Sequence, residues 1–206
     1  MPPSNLVLPA SVRSFSDYYD LSADFEAVAD ALGYPLKNVA LVLPRAAVPD
    51  WANELKRRTD IALPHIHGSS EAARREIYIA PLFIELAGRY GVELRIEKLV
   101  TVTESLRGWL DYLLEYKEQL LVVEAKRDDL DRGMSQLIAE ITAVDQWAGS
   151  NSNSDTIYGV ITTGSIWQFC VLHRTAKRIE RDVAVYRNPQ DLHEILAIIL
   201  GILQIT

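Results

Sequence analysis

Several features that would assign a chain to a familiar class are missing from this sequence. It has one cysteine, Cys170, so no disulfide can form within the chain. No signal peptide is visible at its start, and together these two absences predict a reducing, cytoplasmic location. No apolar run reaches the roughly 18 residues that a membrane-spanning helix needs. The most apolar segment, 192–205, is interrupted by charged and polar residues, so no membrane partner is expected.

Signatures of several enzyme classes are also missing. The chain has no Gly-x-x-x-x-Gly-Lys-Ser/Thr phosphate-binding loop, no Gly-x-Gly-x-x-Gly segment and no Gly-x-Ser-x-Gly nucleophile elbow. It therefore gives no support to a P-loop nucleotidase, a dinucleotide-binding protein or a serine-triad hydrolase. His65 and His67 have a spacing that can bind a metal ion from a strand. No third ligand lies nearby in the sequence, so we interpret them as loop histidines.

Length and composition indicate an ordinary globular domain. The chain has 206 residues, of which 49% are hydrophobic and 24% charged. This length suits one domain, and this composition supplies a sizeable core. The net charge of −7 argues against a broadly basic surface that would coat nucleic acid. It is compatible with a small basic groove.

Apolar spacing and turn residues divide the chain into an N-terminal part and a mixed core. Residues 1–68 are predicted to form a helical cap, and residues 69–206 the core of a single domain that spans 1–206. The predicted elements are helices at 16–32 and 47–58, a helix at 71–89 that Ser69 or Ser70 caps and Pro81 kinks, strands at 92–103, 109–116 and 119–126, a helix at 128–147, a turn at 149–154, strands at 157–162, 166–172 and 182–186, and a last helix with Pro189 at its first position. This order predicts an α/β fold of mixed α+β type, with one central sheet flanked by helices.

The last helix has its own signature. From Ile195 to Ile205 it is apolar on almost every side. Such a helix is normally buried, because an apolar surface of that extent is unfavourable in water. The pattern therefore predicts burial either within its own domain or in a homodimer.

The stretch from Asp111 to Lys126 carries the strongest local signal. Two short apolar runs flank a polar turn at 115–119, which is typical of a hairpin. The second run, 120–123, suits a strand buried on both faces. It leads to Glu124 and Lys126, which are two residues apart and so point to the same face. Burying charges costs several kcal/mol unless they are paired or bind a metal. Two interpretations follow: a structural ion pair at a strand end, or a functional site shared with Asp111 on the neighbouring strand.

The order of these residues resembles the PD-(D/E)XK nuclease superfamily. Asp111 and then Glu124-Ala125-Lys126 stand between two helices, as in that motif. Further matches are Glu71, Arg75, Pro81 and Leu82 in the first helix, 133–137 as the Gly-x-x-Gln-Leu segment, and 163–169 as the later Thr-x-Gly-x-x-Trp-x-Phe hairpin. The resemblance covers about 69–206 and is to nuclease regions of type I restriction motor subunits and to small standalone bacterial proteins. Leu110 stands where the motif has proline.

The resemblance implies a restriction-endonuclease-like core and a metal-dependent nuclease acting on DNA. Asp111 and Glu124, with the carbonyl of Ala125, would bind Mg²⁺ or Mn²⁺, ions that prefer oxygen ligands. Glu71 would join them directly or through water, although an acid in a first helical turn also simply complements the helix dipole. Lys126 would orient or deprotonate the attacking water.

Residues of the following helix and three arginines complete the predicted site. Gln136 would fix Lys126 or contact a phosphate, and Glu140 lies one turn further along the same helix face. Arg75, Arg127 and Arg132 are candidates for phosphate contacts, although such arginines are more often solvated charges.

Two other hypotheses belong to different classes. The chain could be a catalytically inactive binding or assembly protein that keeps the nuclease fold. Its acidic net charge and the lack of a recognisable target-recognition domain motivate this alternative. The other is an unrelated α/β protein in which Glu-x-Lys occurs by coincidence.

Overall fold

A computed structural model of the chain describes residues 6–67, 70–147 and 153–206. Ser69, one of the two predicted caps, and residues 149–152 of the predicted turn lie outside the described residues. Within the described ranges, no helix is both long enough and apolar enough to cross a membrane.

The described chain begins with mostly helical elements and continues with strands that one helix interrupts and a last helix follows. The N-terminal part contains α1 (Phe15–Tyr19), α2 (Phe25–Ala31), β1 (Leu36–Val39), α3 (Trp51–Ala62) and a short 3-10 turn (Leu63–His65). A continuous helical stretch follows, made of α4 (Glu71–Arg74), a π-helical turn (Arg75–Ile79) and α5 (Ala80–Tyr90). Then come β2 (Glu93–Thr101), β3 (Arg107–Tyr116), β4 (Gln119–Ala125), α6 (Leu130–Gln146), β5 (Thr156–Thr162), β6 (Ile166–His173), β7 (Arg178–Asp182), β8 (Tyr186–Arg187) and α7 (Leu192–Ile202).

The strands form one mixed sheet, which confirms the predicted α/β class. In the described residues the sheet has eight strands in the order β1-β7-β6-β5-β4-β3-β2, with β8 paired to β6. β1 pairs with β7 and β4 with β5 in parallel, and the other pairs are antiparallel. A parallel pair needs a crossover connection, and α6 is the crossover between β4 and β5.

Strand β4 is buried on both faces, as its apolar run predicts. Leu120 and Val122 belong to the core that also contains the apolar residues of α6. Leu121 and Val123 belong to the opposite core, with residues of α5 and α7. A slip of one residue would exchange these two sets of side chains between the faces, so the packing fixes the register of β4. That register also fixes the position of Glu124.

The N-terminal part differs from the prediction in three respects. The predicted helix at 16–32 is wrong, because the chain breaks into α1 and α2 where Asp24 takes an extended conformation, with ψ of 145°. The predicted helix at 47–58 lies at Trp51–Ala62, since it begins only after Pro49. Strand β1, which the sequence did not indicate, pairs with β7 at the edge of the sheet.

The helical stretch after residue 70 confirms the predicted cap and has an irregular turn near the predicted kink. The hydroxyl of Ser70 accepts a hydrogen bond from the backbone N–H of Ala73 at 3.1 Å, so Ser70 is a cap. A π-helical turn stands just before Pro81, where the sequence predicts a kink. Proline lacks an N–H to donate to the preceding turn, which accounts for a local change in the hydrogen-bond pattern.

For the last helix, one prediction is confirmed and one is wrong. Helix α7 is buried within its own chain, which is one of the two alternatives that its apolar sequence allowed. A Cβ atom at Gly201 would lie 2.5 Å from the backbone of Arg45, so this helix needs glycine where segment 44–45 crosses it. The predicted start at Pro189 is wrong, because α7 begins at Leu192 and the Asn188–Pro189 peptide, which is cis, precedes it.

Candidate functional site

The ends of β3 and β4 bring two of the predicted acids together. The antiparallel register pairs Tyr112 with Val123, and continuing it by one residue sets Asp111 opposite Glu124. The carboxylate of Asp111 accepts a hydrogen bond from the backbone N–H of Ala125, with Oδ2 and N 2.8 Å apart. Asp111 therefore reaches across to the strand that carries the Glu-x-Lys triplet.

Glu124 and Lys126 form a close and largely buried ion pair. Lys126 Nζ lies 2.5 Å from Glu124 Oε1, and the two side chains are 15% and 2% exposed. The two-residue spacing thus delivers both groups to one face, as the sequence indicates. The backbone N–H of Lys126 donates to the carbonyl of Thr162 on β5 at 2.8 Å, which anchors the strand end.

Helix α6 adds a second buried acid to the site. Gln136 Nε2 donates to Glu140 Oε1 at 2.9 Å, and both side chains are buried. Burial, together with the charge of Asp111, raises the pKa of Glu124 to about 8. Burial and the neighbouring Glu124 carboxyl likewise raise the pKa of Glu140 well above its usual value. The two acids therefore share an environment in which they do not both ionise at neutral pH.

Three oxygen atoms in this cluster have no hydrogen-bond partner among the described residues. They are Oε2 of Glu124, Oε2 of Glu140 and Oε1 of Gln136. Buried polar atoms without a partner are rare in proteins, because leaving them unpaired costs free energy. The carboxyl groups of Glu124 and Glu140 lie within hydrogen-bond reach of each other, so a proton held on one of them is the remaining source of a hydrogen bond between them. The position of Glu140, one turn beyond Gln136 on the same helix face, was the sequence signal for this second acid.

Arg75 neutralises Asp111, which we call the outer acid because its side chain is 17% exposed, whereas that of Glu124 is 2% exposed. Its Nη1 lies 3.2 Å from Asp111 Oδ1, and its guanidinium carbon lies 5.1 Å from the centre of the Tyr112 ring. With Oδ2 bonded to Ala125, both oxygens of Asp111 are engaged. Arg75 Nη2 also lies 3.7 Å from Glu97 Oε1. Glu97 has φ of 50°, a conformation that residues other than glycine rarely adopt and that is often associated with functional sites.

Glu71 belongs to the same group of charges. Burial raises its pKa, the carboxylate of Asp111 adds to that rise, and the cations Lys126 and Arg75 oppose it. Glu71 is also the first residue of α4, where a negative charge complements the helix dipole. Its environment is therefore compatible with both of the roles that the sequence suggests.

The oxygen atoms of the site are ligands that a hard divalent cation prefers, but in the present arrangement two basic side chains neutralise the acids. Asp111, Glu124 and the Ala125 carbonyl supply oxygen ligands of the kind that Mg²⁺ and Mn²⁺ prefer, and Glu124 Oε2 is unpartnered in the described structure. In the described ranges, however, no three His, Cys, Asp or Glu side chains are grouped closely enough to hold a metal ion. Lys126 and Arg75 instead provide positive charge.

The arginines selected from the sequence are all ion-paired. Arg127 contacts Asp128 at 3.2 Å, Arg132 contacts Asp129 at 3.6 Å, and Arg75 contacts Asp111. Arg74, which the sequence gave no reason to select, contacts the loop between β5 and β6. His65 and His67 are exposed, as expected for loop histidines.

Comparison with known proteins leaves the family open. No family model matches the chain, and no curated protein or solved structure matches it. The functional interpretation therefore depends on the chemistry of the site itself.

Proposed function

We propose that this protein is a divalent-metal-dependent nuclease of the PD-(D/E)XK superfamily that hydrolyses phosphodiester bonds in DNA. The observation that carries the proposal is the convergence of Asp111, Glu124 and Lys126 at the ends of β3 and β4, where Glu124 is buried and one of its oxygens receives no bond from an N–H donor in the described residues. The order of elements also supports it, since a helical stretch, three strands, a helix and a parallel strand occur in succession.

Each acid of the site has a role in this proposal. Asp111, Glu124 and the Ala125 carbonyl would hold Mg²⁺ or Mn²⁺, with Glu71 as a further ligand. When bound, the ion supplies Lewis-acid polarisation of the phosphate and a more acidic water. Gln136 holds Glu140 beside Glu124, and the shared proton between these acids limits the negative charge buried at the site.

Lys126 acts as a cation in this proposal. Burial alone would lower its pKa, but the neighbouring Glu124 and Glu140 carboxyls outweigh that effect and raise it. A lysine in this environment stays protonated at neutral pH. Its ammonium group therefore orients the water and offsets negative charge that develops on the phosphate, rather than removing a proton from the water.

A cleavage assay with Lys126→Ala tests the proposal. Duplex DNA, single-stranded DNA and RNA are incubated with Mg²⁺ or Mn²⁺ and with the parent or the variant. We expect the parent to cut DNA and Lys126→Ala to lose at least about 100-fold in rate, because an electrostatic contact to the reacting group is removed. Lys56→Ala is the matched control, since Lys56 also pairs with a carboxylate at 2.7 Å but lies on α3. Equal cleavage by parent and Lys126→Ala would overturn the mechanism.

A catalytically inactive binding or assembly protein is the second candidate. The observation that favours it is the engagement of both Asp111 oxygens, one by Arg75 and one by the Ala125 N–H. Calorimetric titration of the parent with Mn²⁺ separates the two functions. Heat of binding supports the nuclease, and the absence of binding, together with retained affinity for DNA, supports the inactive protein.

The location and assembly of the protein stay predictions. The single cysteine underlies the proposal of a cytoplasmic location. The apolar last helix suggested a possible homodimer, but its apolar residues are buried within the chain and no longer call for a partner. DNA, rather than RNA, is proposed as the substrate on the resemblance alone.

A further inference from the structure

Arg74 is a half-buried arginine whose charge has no carboxylate partner among the described residues. Its Nη1 makes two long contacts of 3.4 Å, to the carbonyl of Thr163 and to the hydroxyl of Ser165. Its Nε is buried and has no hydrogen-bond partner in the described structure. Leaving a buried charged donor poorly satisfied is costly, so this arrangement calls for an explanation.

The loop that faces Arg74 is held rigidly. Trp167 Nε1 donates to the carbonyl of Gly164 at 2.8 Å, and the backbone N–H of Gly164 donates to the hydroxyl of Thr162 at 2.8 Å. Gly164 has φ of 81°, and a Cβ atom there would lie 3.0 Å from the Tyr78 ring. The loop therefore lies tightly against the helical stretch, and the polar groups of residues 163–165 have fixed positions.

Two hydroxyl groups lie beside the guanidinium of Arg74. Thr163 Oγ1 and Ser165 Oγ are 3.2 Å apart, so one of their two hydrogens lies between them. The other hydrogen can point outward and donate to a ligand. A guanidinium together with a hydroxyl donor is a combination that binds phosphate oxygens well.

This group borders the candidate active site. Thr162, which precedes the loop, lies beside Ala125 in the parallel pairing of β4 and β5. The next residue after Arg74 is Arg75, which contacts Asp111. A ligand at Arg74 would therefore lie at the same end of the sheet as the acids that we assign to catalysis.

We propose that Arg74, with the hydroxyls of Thr163 and Ser165, binds a backbone phosphate of nucleic acid next to the scissile one. The inference rests on the proposed function, since it takes a phosphodiester chain as the ligand. It assigns the phosphate contact to Arg74 rather than to Arg75, Arg127 or Arg132, because those three are already paired with carboxylates.

The salt dependence of DNA binding tests this assignment. A short fluorescent DNA duplex is titrated in EDTA, so that cleavage does not interfere, with the salt concentration varied from about 50 to about 200 mM. We expect Arg74→Gln to bind about tenfold more weakly at low salt and to reduce the slope of log K against log salt by about 0.9. Arg74→Lys should keep the slope, since it keeps the charge. Arg57→Gln, at an exposed arginine on α3, is the control and should change neither quantity.

The possible outcomes separate the subsite from catalysis. An unchanged slope in a folded Arg74→Gln protein overturns the subsite and leaves the proposed nuclease standing. If Arg74→Gln reduces the slope but the parent does not cut DNA, the subsite is supported and catalysis is contradicted. A parent that does not bind the duplex overturns the assignment. If Arg74→Gln does not fold, Ser165→Ala decides: we expect about threefold weaker binding with an unchanged slope, and unchanged affinity overturns the subsite.

Discussion

Helix α6 carries two acids whose side chains are buried, Asp145 and Glu140, and they are neutralised in different ways. Asp145, near the end of the helix, is 3% exposed and accepts hydrogen bonds from Tyr34 and Lys177 at 2.5 Å and from Arg174 at 2.7 Å. Glu140, earlier in the same helix, is buried beside Glu124, with an oxygen atom on each that has no partner among the described residues.

The pKa values of these acids reflect the difference in their partners. Burial alone would raise the pKa of Asp145, but the bonds from Lys177, Tyr34 and Arg174 outweigh it and hold that pKa below its usual range. At Glu124 and Glu140 burial dominates, and both pKa values are raised. A carboxylate that is fully partnered stabilises the fold, whereas under-satisfied acids with raised pKa values are typical of functional sites.

Replacing Asp145 with Asn is expected to have the largest effect on stability. The substitution removes the charge that compensates Arg174 and Lys177 and weakens the bond from Tyr34. We expect the free energy of unfolding to fall by about 2–3 kcal/mol, because the partly buried Arg174 loses its carboxylate partner, whereas the exposed Lys177 is rehydrated. Urea unfolding at pH 8 and pH 5 should give a similar loss, since Asp145 has a lowered pKa and is ionised at both.

An exposed ion pair provides the control for this substitution. Asp60 contacts Lys56 at 2.7 Å on α3 and is 46% exposed. Asp60→Asn should change the free energy of unfolding by less than about 0.5 kcal/mol. If Asp145→Asn were as mild as Asp60→Asn, the contrast between a structural and a functional acid would fail.

At Glu140 the same change of acid to amide should raise the free energy of unfolding, whereas at Asp145 it lowers it. In the folded parent, Glu124 and Glu140 keep protons at pH values where the unfolded chain has released them. Stability conferred by these groups is therefore present below about pH 4.5 and is lost as the pH rises towards 8, by up to about 1.4 kcal/mol per pH unit for each group. Glu140→Gln removes one ionisable group and keeps an acceptor for Gln136.

We expect Glu140→Gln to exceed the parent in stability by roughly 1–3 kcal/mol at pH 8 and to equal it near pH 5. The measurement is urea unfolding at several pH values between these limits. Glu76→Gln, at an exposed glutamate of the π-helical turn, should follow the parent at every pH. Parallel curves for the parent and Glu140→Gln would show that the buried pair does not titrate as its surroundings imply.

The parts of this structure that local sequence patterns determine were predictable. The apolar run 120–123 predicted a strand buried on both faces, and the spacing of Glu124 and Lys126 predicted their contact. Ser70 was correctly expected to cap a helix because capping depends on residues three positions apart. In each case the determining interaction lies within a few residues of the chain, or follows from the period of a strand.

Features that depend on distant contacts were not predictable in this way. Strand β1 contains the polar residues Lys37 and Asn38, and only its pairing with β7, far along the chain, makes it a strand. The charge partner of Asp111 is Arg75, which approaches it because the chain folds the π-helical turn against β3. The unpaired state of Arg74 is likewise a result of what surrounds it, and no pattern in the sequence reports that.

The ion pair between Arg75 and Asp111 gives a further test of the comparison, and its expected effect is the smallest. If the site binds a divalent cation, Arg75 competes with that cation for Asp111, since its Nη1 is 3.2 Å from Oδ1. Arg75→Gln should then tighten Mn²⁺ binding by about tenfold, or about 1.4 kcal/mol, in a calorimetric titration. Lys177→Gln is the matched change at the other acid, where Tyr34 and Arg174 still bond to Asp145, and it should create no Mn²⁺ site.

Unchanged or weaker Mn²⁺ binding in Arg75→Gln would mean that Asp111 is held by Arg75 as firmly as Asp145 is by its partners. The outer acid would then be structural, and the catalytically inactive protein would become the better description of this site.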